Sequence, residues 1–377
     1  SVLGKACQTS AGRCRNEVMN GSDDIDSTPV ARSGAVAAGG AAGGAYGGPR
    51  VGLALGSGSA RGLAHLGVLR ALQEADIPLH CIVGTSMGAL VGAVCAAGQL
   101  EQLTSTFQTF DWRKTLSFFD VVLPRSGLLD GARVGELVRE HVGSAAIESL
   151  PMRFAAISTD LVTGQEVLIQ QGDVIEAVRA SISVPGIFTP VRRNGRILVD
   201  GGLVNPVPVS AARALGADLV IAVDLNHQIV GGKNFKTLLP TKESTDQEGA
   251  AVTLRDAAPW LAAYRRAMQD LKTRLQGSDW ARSLALAQGV AAPSATEPMP
   301  SIFEVLLASI NVMETRITQT RLALEPPDVL IQPPLGHFRF LEFARADELI
   351  QIGYDSAQQA LAANPVLQAW REPRGGA

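Results

Sequence analysis

Residues 80–98 read His-Cys-Ile-Val-Gly-Thr-Ser-Met-Gly-Ala-Leu-Val-Gly-Ala-Val-Cys-Ala-Ala-Gly. Three apolar residues, Cys81, Ile82 and Val83, lead into Gly84-Thr85-Ser86-Met87-Gly88, and a run of small residues from Ala89 to Ala97 closes at Gly98. That order predicts a buried strand, a sharp turn and a helix. A serine at the apex of such a turn sits in a strained backbone conformation. The residues two before and two after it must then be small, because strand and helix crowd together there. This is the pattern of a nucleophile elbow, with the Ser86 hydroxyl clear of the sheet and a helix N-terminus favouring negative charge beside it. The plainer alternative is an ordinary strand-to-helix turn with Ser86 as the helix N-cap.

Upstream, residues 50–56, Arg-Val-Gly-Leu-Ala-Leu-Gly, predict the first buried strand. The loop Gly56-Ser57-Gly58-Ser59-Ala60-Arg61-Gly62 follows, and Leu63, Leu66, Leu69 and Leu72 mark a helix to about Ala75. A glycine-rich loop between strand and helix turns backbone N–H groups toward an anion. A dinucleotide site fits poorly. Arg61 stands where the third glycine belongs, and the second strand ends in the serine elbow instead of an acidic residue. The better reading places the loop beside Ser86, as an oxyanion hole. Gly56, Ser57, Gly58, Ser59, Arg61 and Gly62 are its candidate oxyanion and substrate residues. A tight turn with packing glycines is the alternative.

Downstream, a helical pattern begins near residue 99. Phe118, Phe119, Val121, Val122 and Leu123 then form the most aromatic stretch of the chain, read as core in preference to an acyl pocket or membrane-facing lid. Residues 130–142 predict an amphipathic helix, 152–160 and 165–170 two strands turning at Thr163-Gly164, and 173–182 a short helix before Pro185. Residues 196–208, Arg-Ile-Leu-Val-Asp-Gly-Gly-Leu-Val-Asn-Pro-Val-Pro, predict a strand that delivers Asp200 at its end. Ligands of open α/β sheets gather at the carboxyl ends of strands, which brings Asp200 toward Ser86. Alternatively Asp200 only caps a turn. A helix over 209–215 and a strand over 218–224 complete the core. Further helix is expected over 301–324 and 346–362, with a strand over 328–332.

The chain has 377 residues, 46% hydrophobic and 5% aromatic, with 39 glycines. A net charge of −3 gives no electrostatic case for nucleic acid. Cys81 and Cys95 flank the elbow as core thiols, while pairing of Cys7 with Cys14 stays open. No ligand spacing suggests a metal, and no apolar run reaches the length of a membrane span. Four segments follow: a Gly/Ala-rich disordered leader, 1–49; a catalytic core, 50–225; a mobile, partly helical insertion, 226–300; and C-terminal helices and a strand packing on the core, 301–377. The glycine density of 34–48 cannot offset the entropy of ordering, and it breaks any signal-like apolar run. A helix over 252–275 carries Arg255, Arg265, Arg266, Lys272 and Arg274, a solvated face before it is a lipid-binding one.

The motifs Gly56-x-Gly58-x-x-Arg61-Gly62, Gly84-x-Ser86-x-Gly88 and Asp200-Gly201-Gly202 resemble the three blocks of the patatin-like phospholipases. Ser183-Val-Pro-Gly-Ile-Phe-Thr-Pro190 resembles that family's proline block, and Ser57 and Ser59 stand at positions often glycine. The tail, from Met313-Glu-Thr to Gly353-Tyr354, is similar to bacterial members related to the neuropathy target esterase catalytic domain. The resemblance implies a three-layer α/β/α sandwich around a mostly parallel sheet. It also implies a serine lipid acyl hydrolase, with Ser86 as nucleophile and Asp200 as base in a dyad without histidine. No cofactor or metal is implied. The expected partner is a lipid or other acyl ester, and the expected location is cytoplasmic, with peripheral contact at the inner membrane face left open. Two other readings remain: a Ser-Asp-His triad using His227 or His337, with His65, His80 and His141 in no recognisable catalytic context, and a non-catalytic regulator or scaffold.

Overall fold

The computed structural model describes residues 49–109, 131–227, 229 and 302–371. Val51–Leu55 forms β1, Ser59–Leu63 a short 3-10 helix and Ala64–Glu74 α1. Leu79–Thr85 forms β2, followed by α2 (Met87–Ala96) and α3 (Leu100–Gln108). Then come α4 (Ala132–Val142), β3 (Arg153–Asp160), β4 (Glu166–Ile169), α5 (Val174–Ser181), β5 (Val191–Arg193) and β6 (Arg196–Asp200). The described chain closes with α6 (Val209–Ala214), β7 (Leu219–Val223), α7 (Ile302–Leu324), β8 (Val329–Ile331), α8 (Ala346–Ala363) and α9 (Pro365–Arg371).

These strands make one sheet in the order β5-β6-β3-β2-β1-β7-β8, with β4 paired to β3. The run from β3 to β8 is parallel, and β4, β5 and β6 are antiparallel. Alternate residues feed two cores. Leu53, Leu55, Ile82, Ile221 and Val223 pack under α1 and α2, while Ala54, Val83, Ala155, Val220 and Ala222 pack against α6. Strands apolar on both faces are what a sheet covered twice by helices requires, so the fold is a three-layer α/β/α sandwich. Helix α8 crosses α1 so closely that a Cβ on Gly67 would collide with the Ile350 carbonyl, and one on Gly353 with the Ala64 carbonyl.

Strand β5 escapes the sequence reading, as does the short helix α9. β5 and β6 form a hairpin through a two-residue turn, Asn194-Gly195, both at positive φ (48° and 76°). Asn-Gly is the strongest short hairpin signal, but the first arm is three residues long and holds two arginines. The readings of the leader to residue 48, of 118–123, and of the insertion over 230–300 with its basic helix lie outside the described residues. No described helix is long and apolar enough to cross a membrane.

Candidate active site

Ser86 stands between β2 and α2 at φ 56° and ψ −122°, a conformation that costs a non-glycine residue about 1–3 kcal/mol. Its neighbours make that geometry possible. A Cβ on Gly84 would collide with the Gly88 carbonyl, and one on Gly88 with the Leu55 carbonyl. Ser86 stands at the N-cap position of α2, but its Oγ makes no cap bond to the helix. It donates instead to Asp200 Oδ2 at 2.6 Å. The Ser86 N–H is taken by Ser181 Oγ at 2.9 Å, and Ser181 in turn donates to the Ile157 carbonyl.

Asp200 is 2% exposed. Its Oδ1 accepts the Gly202 N–H at 2.7 Å, so the carboxylate both caps the following turn and receives the Ser86 hydroxyl. Burial pushes its pKa up from 3.8 to about 6, against the opposing pull of the hydrogen bonds from Ser86 and Gly202. The reason it reaches Ser86 differs from the one the sequence suggested. β6 runs against β3, so Asp200 joins the carboxyl edge of the parallel strands by register and not by a shared strand direction. It comes level with Ser86 because β6 overlaps β3 by three residues, ending with Asp200 opposite Ser158, while Thr85 lies opposite Ile157.

The glycine-rich loop lies against the elbow, for a Cβ on Gly62 would collide with the Met87 side chain. Its N–H groups are not equivalent. Gly56 donates to the Val223 carbonyl at 3.0 Å, Ser57 to Pro206 at 2.9 Å and Ala60 to Phe340 at 3.1 Å. The N–H groups of Gly58 and Ser59 meet no acceptor among the described residues. Gly58 has no room for a side chain, since a Cβ would stand 2.9 Å from Leu225 Cδ1, and Ser59 is held at φ 50°. Of the six residues expected in the hole, Gly58 and Ser59 remain the candidate donors. Arg61 is a correction: it is 1% exposed and faces inward. Its Nη2 donates to Asn226 Oδ1 at 3.3 Å and Asn311 Oδ1 at 3.1 Å, and its Nη1 to the Phe338 carbonyl at 3.4 Å. It braces the loop from beneath.

That bracing layer is what the sequence reading missed. Ser57 Oγ donates to Glu314 Oε2 at 2.9 Å, and Asn226 Nδ2 donates to the same oxygen at 3.1 Å. Asn311, Glu314, Thr315 and Thr318 of α7 are all buried. Polar residues spaced three and four apart share one helix face, and that stripe was the available signal.

No histidine bridges the pair. His65 is fully buried and its Nε2 lies 2.8 Å from the Gly56 carbonyl, so Nε2 carries the proton. Burial holds its pKa near 4, and it stays neutral. His80 is at the opposite end of β2 from Ser86, His141 contacts Thr106 and the Leu137 carbonyl, and His337 lies 3.8 Å from Glu348. Neither Ser86 nor Asp200 hydrogen-bonds to His227 or His337 among the described residues. Beside Ser86 opens a small cavity of about 50 Å³ with an apolar wall of Leu90, Phe107, Ile182, Phe188 and Phe343. Among the described residues no group of three or more His, Cys, Asp or Glu side chains could hold a metal ion.

Residues 53–213 match the family described as patatin-like phospholipase. An uncharacterised NTE family protein of Mycobacterium tuberculosis is 35% identical over 333 residues, covering 83% of this chain and 92% of the relative. A second one from the same organism is 32% identical over 319 residues, covering 84% of this chain and 47% of the relative. The lysophospholipase NTE1 of Pyricularia oryzae is 27% identical over 312 residues, covering 81% of this chain and 18% of that protein.

Proposed function

The chain belongs to the NTE-type patatin-like phospholipases, and from that membership and the site geometry we propose a serine lipid acyl hydrolase that works through an acyl-enzyme on a Ser86–Asp200 dyad. The observation that carries the reading is the 2.6 Å hydrogen bond from a serine on a strained elbow to a buried carboxylate. Family membership supports lipid acyl hydrolase activity. The apolar wall beside Ser86 supports an acyl chain as the group held, and a substrate of that kind supports peripheral membrane contact.

In this mechanism Asp200 takes the Ser86 proton as Oγ attacks the ester carbonyl carbon. The carbonyl oxygen becomes an oxyanion facing the Gly58 and Ser59 N–H groups, which need no reorganisation to receive it. Collapse breaks the ester bond, and the leaving alcohol takes the proton from Asp200. Water then attacks acyl-Ser86 with Asp200 again as base, releasing the fatty acid. A base near pKa 6 is mostly ionised at neutral pH and still accepts a proton far better than an ordinary carboxylate.

The test is labelling with a fluorophosphonate, peptide mapping by mass spectrometry, and hydrolysis of lysophosphatidylcholine. Ser86 is expected to carry the label, and Ser86→Ala to lose both labelling and at least about 10⁴-fold in kcat. A label on another residue, or hydrolysis surviving in Ser86→Ala, would sink the proposal.

A further inference from the structure

α7 buries a carboxyl that the dyad mechanism does not use. Glu314 is 6% exposed and lies under the glycine-rich loop, 257 residues from its partner Ser57 in sequence. Its Oε2 is occupied by two donors, Ser57 Oγ and Asn226 Nδ2. Asn226 Nδ2 also reaches Ser57 Oγ at 3.1 Å and the Ser57 carbonyl at 3.3 Å, so Ser57, Asn226 and Glu314 form a closed triangle. Its other oxygen points toward the base: a Cβ on Gly202 would collide with Glu314 Oε1 and stand 3.0 Å from Asp200 Oδ1. One carboxyl thus touches the support of the oxyanion donors and approaches the general base.

We infer that Glu314 is a positioning residue, which in its neutral form locks the glycine-rich loop through Ser57 and limits the pocket to a single negative charge. The inference rests on the Ser86–Asp200 reading. With Oε2 filled as an acceptor, the proton of the neutral acid resides on Oε1, the oxygen turned to Gly202 and Asp200.

The charged and titratable groups around it are few. Arg61, from the 3-10 helix, is the one cation named in this layer, and it is held by Asn226 and Asn311. Asp200 faces Glu314 from the end of β6. Asp224, after β7, accepts from the Asn226 N–H and from Gln332 Nε2 and acts on Arg61. His65, from α1, is neutral. Burial first, and the Asp200 charge second, push the Glu314 pKa up to about 8, against the pull of Ser57, Arg61 and Asn226. In the reaction one negative charge moves from Asp200 to the oxyanion. An ionised Glu314 adds a second beside both, in surroundings where like charges interact strongly.

The experiment compares kcat from pH 6 to 9.5 for the wild type, Glu314→Gln and Glu314→Ala, with fluorophosphonate labelling measured on each. In the wild type kcat is expected to fall at least tenfold between pH 7.5 and 9.5. Glu314→Ala should lose about 10- to 100-fold in kcat at pH 7.5, with KM moving much less. Glu314→Gln keeps a carbonyl for Ser57 and should recover most of that loss, and its profile should stay flat to pH 9.5. The inference is overturned if Glu314→Gln keeps the wild-type alkaline fall, if the wild type shows no such fall, or if Glu314→Ala matches the wild type at pH 7.5. Failure of the dyad reading looks different: the wild type would then not label at Ser86, or a folded His227→Ala or His337→Ala would be as inactive as Ser86→Ala.

Discussion

Asp200→Asn should abolish hydrolysis and at the same time stabilise the fold, by an amount that depends on pH. The carboxyl is 2% exposed, and burial lifts its pKa from 3.8 to about 6. That lift corresponds to about 3 kcal/mol of lost preference for the charged form. Because the folded pKa is the higher one, the group's favourable contribution is complete below about pH 3.8 and is lost as pH rises through 6. Asparagine carries no charge and can keep both contacts, accepting from the Gly202 N–H through Oδ1 and donating to Ser86 Oγ through Nδ2. The variant should therefore gain on the order of 3 kcal/mol at pH 7 relative to the wild type, with about half of that gain appearing between pH 5 and pH 7. The assay is urea unfolding of both proteins at the two pH values. The same ionisation must appear in activity, as a roughly tenfold lower wild-type kcat/KM at pH 5 than at pH 7. A variant less stable than the wild type at both pH values, or a stability difference that does not change between them, would refute the claim that the fold holds this charge at a cost.

Two further predictions bear on the same site. His227→Ala and His337→Ala should each retain kcat within about threefold of the wild type, because neither imidazole contacts Ser86 or Asp200; a folded variant of either as inactive as Ser86→Ala would restore the triad. Gly62→Ala drives a methyl group into Met87 and should cost about 1–3 kcal/mol, read from the unfolding midpoint, with a larger proportional loss in kcat than in KM; unchanged stability and turnover would show that the loop does not depend on its contact with the elbow.

What was legible in the sequence was local. The elbow announces itself because its constraints act over five residues: Gly84 and Gly88 are small on account of each other and of β1. The parallel core was legible for a similar reason, since apolar runs and small-residue helices alternate along the chain. The candidate oxyanion donors were not separable in sequence, because which N–H groups stay free is decided by acceptors elsewhere, Val223, Pro206 and Phe340. Arg61 was expected at the substrate because it belongs to the loop read as lying beside Ser86. Only the side chains of α7 and the turn after β7 show that it is roofed over. Glu314 was hidden by distance, as no local pattern links it to Ser57. Asp200 was placed correctly on a faulty premise, for its strand runs opposite to those whose ends the rule describes.

The hairpin of β5 and β6 gives the site an unusual kind of fragility. Val191–Asp200 works as a ruler: three residues out, two across the turn, five back, and the last one must face Ser86. Side chains alternate along a strand, so one residue more or fewer in the return arm would turn Val199 or its other neighbour toward the serine and Asp200 away from it. Length, here, is chemistry. A single-codon insertion or deletion in this ten-residue stretch would take the carboxylate away from the serine while leaving every residue of the elbow unchanged.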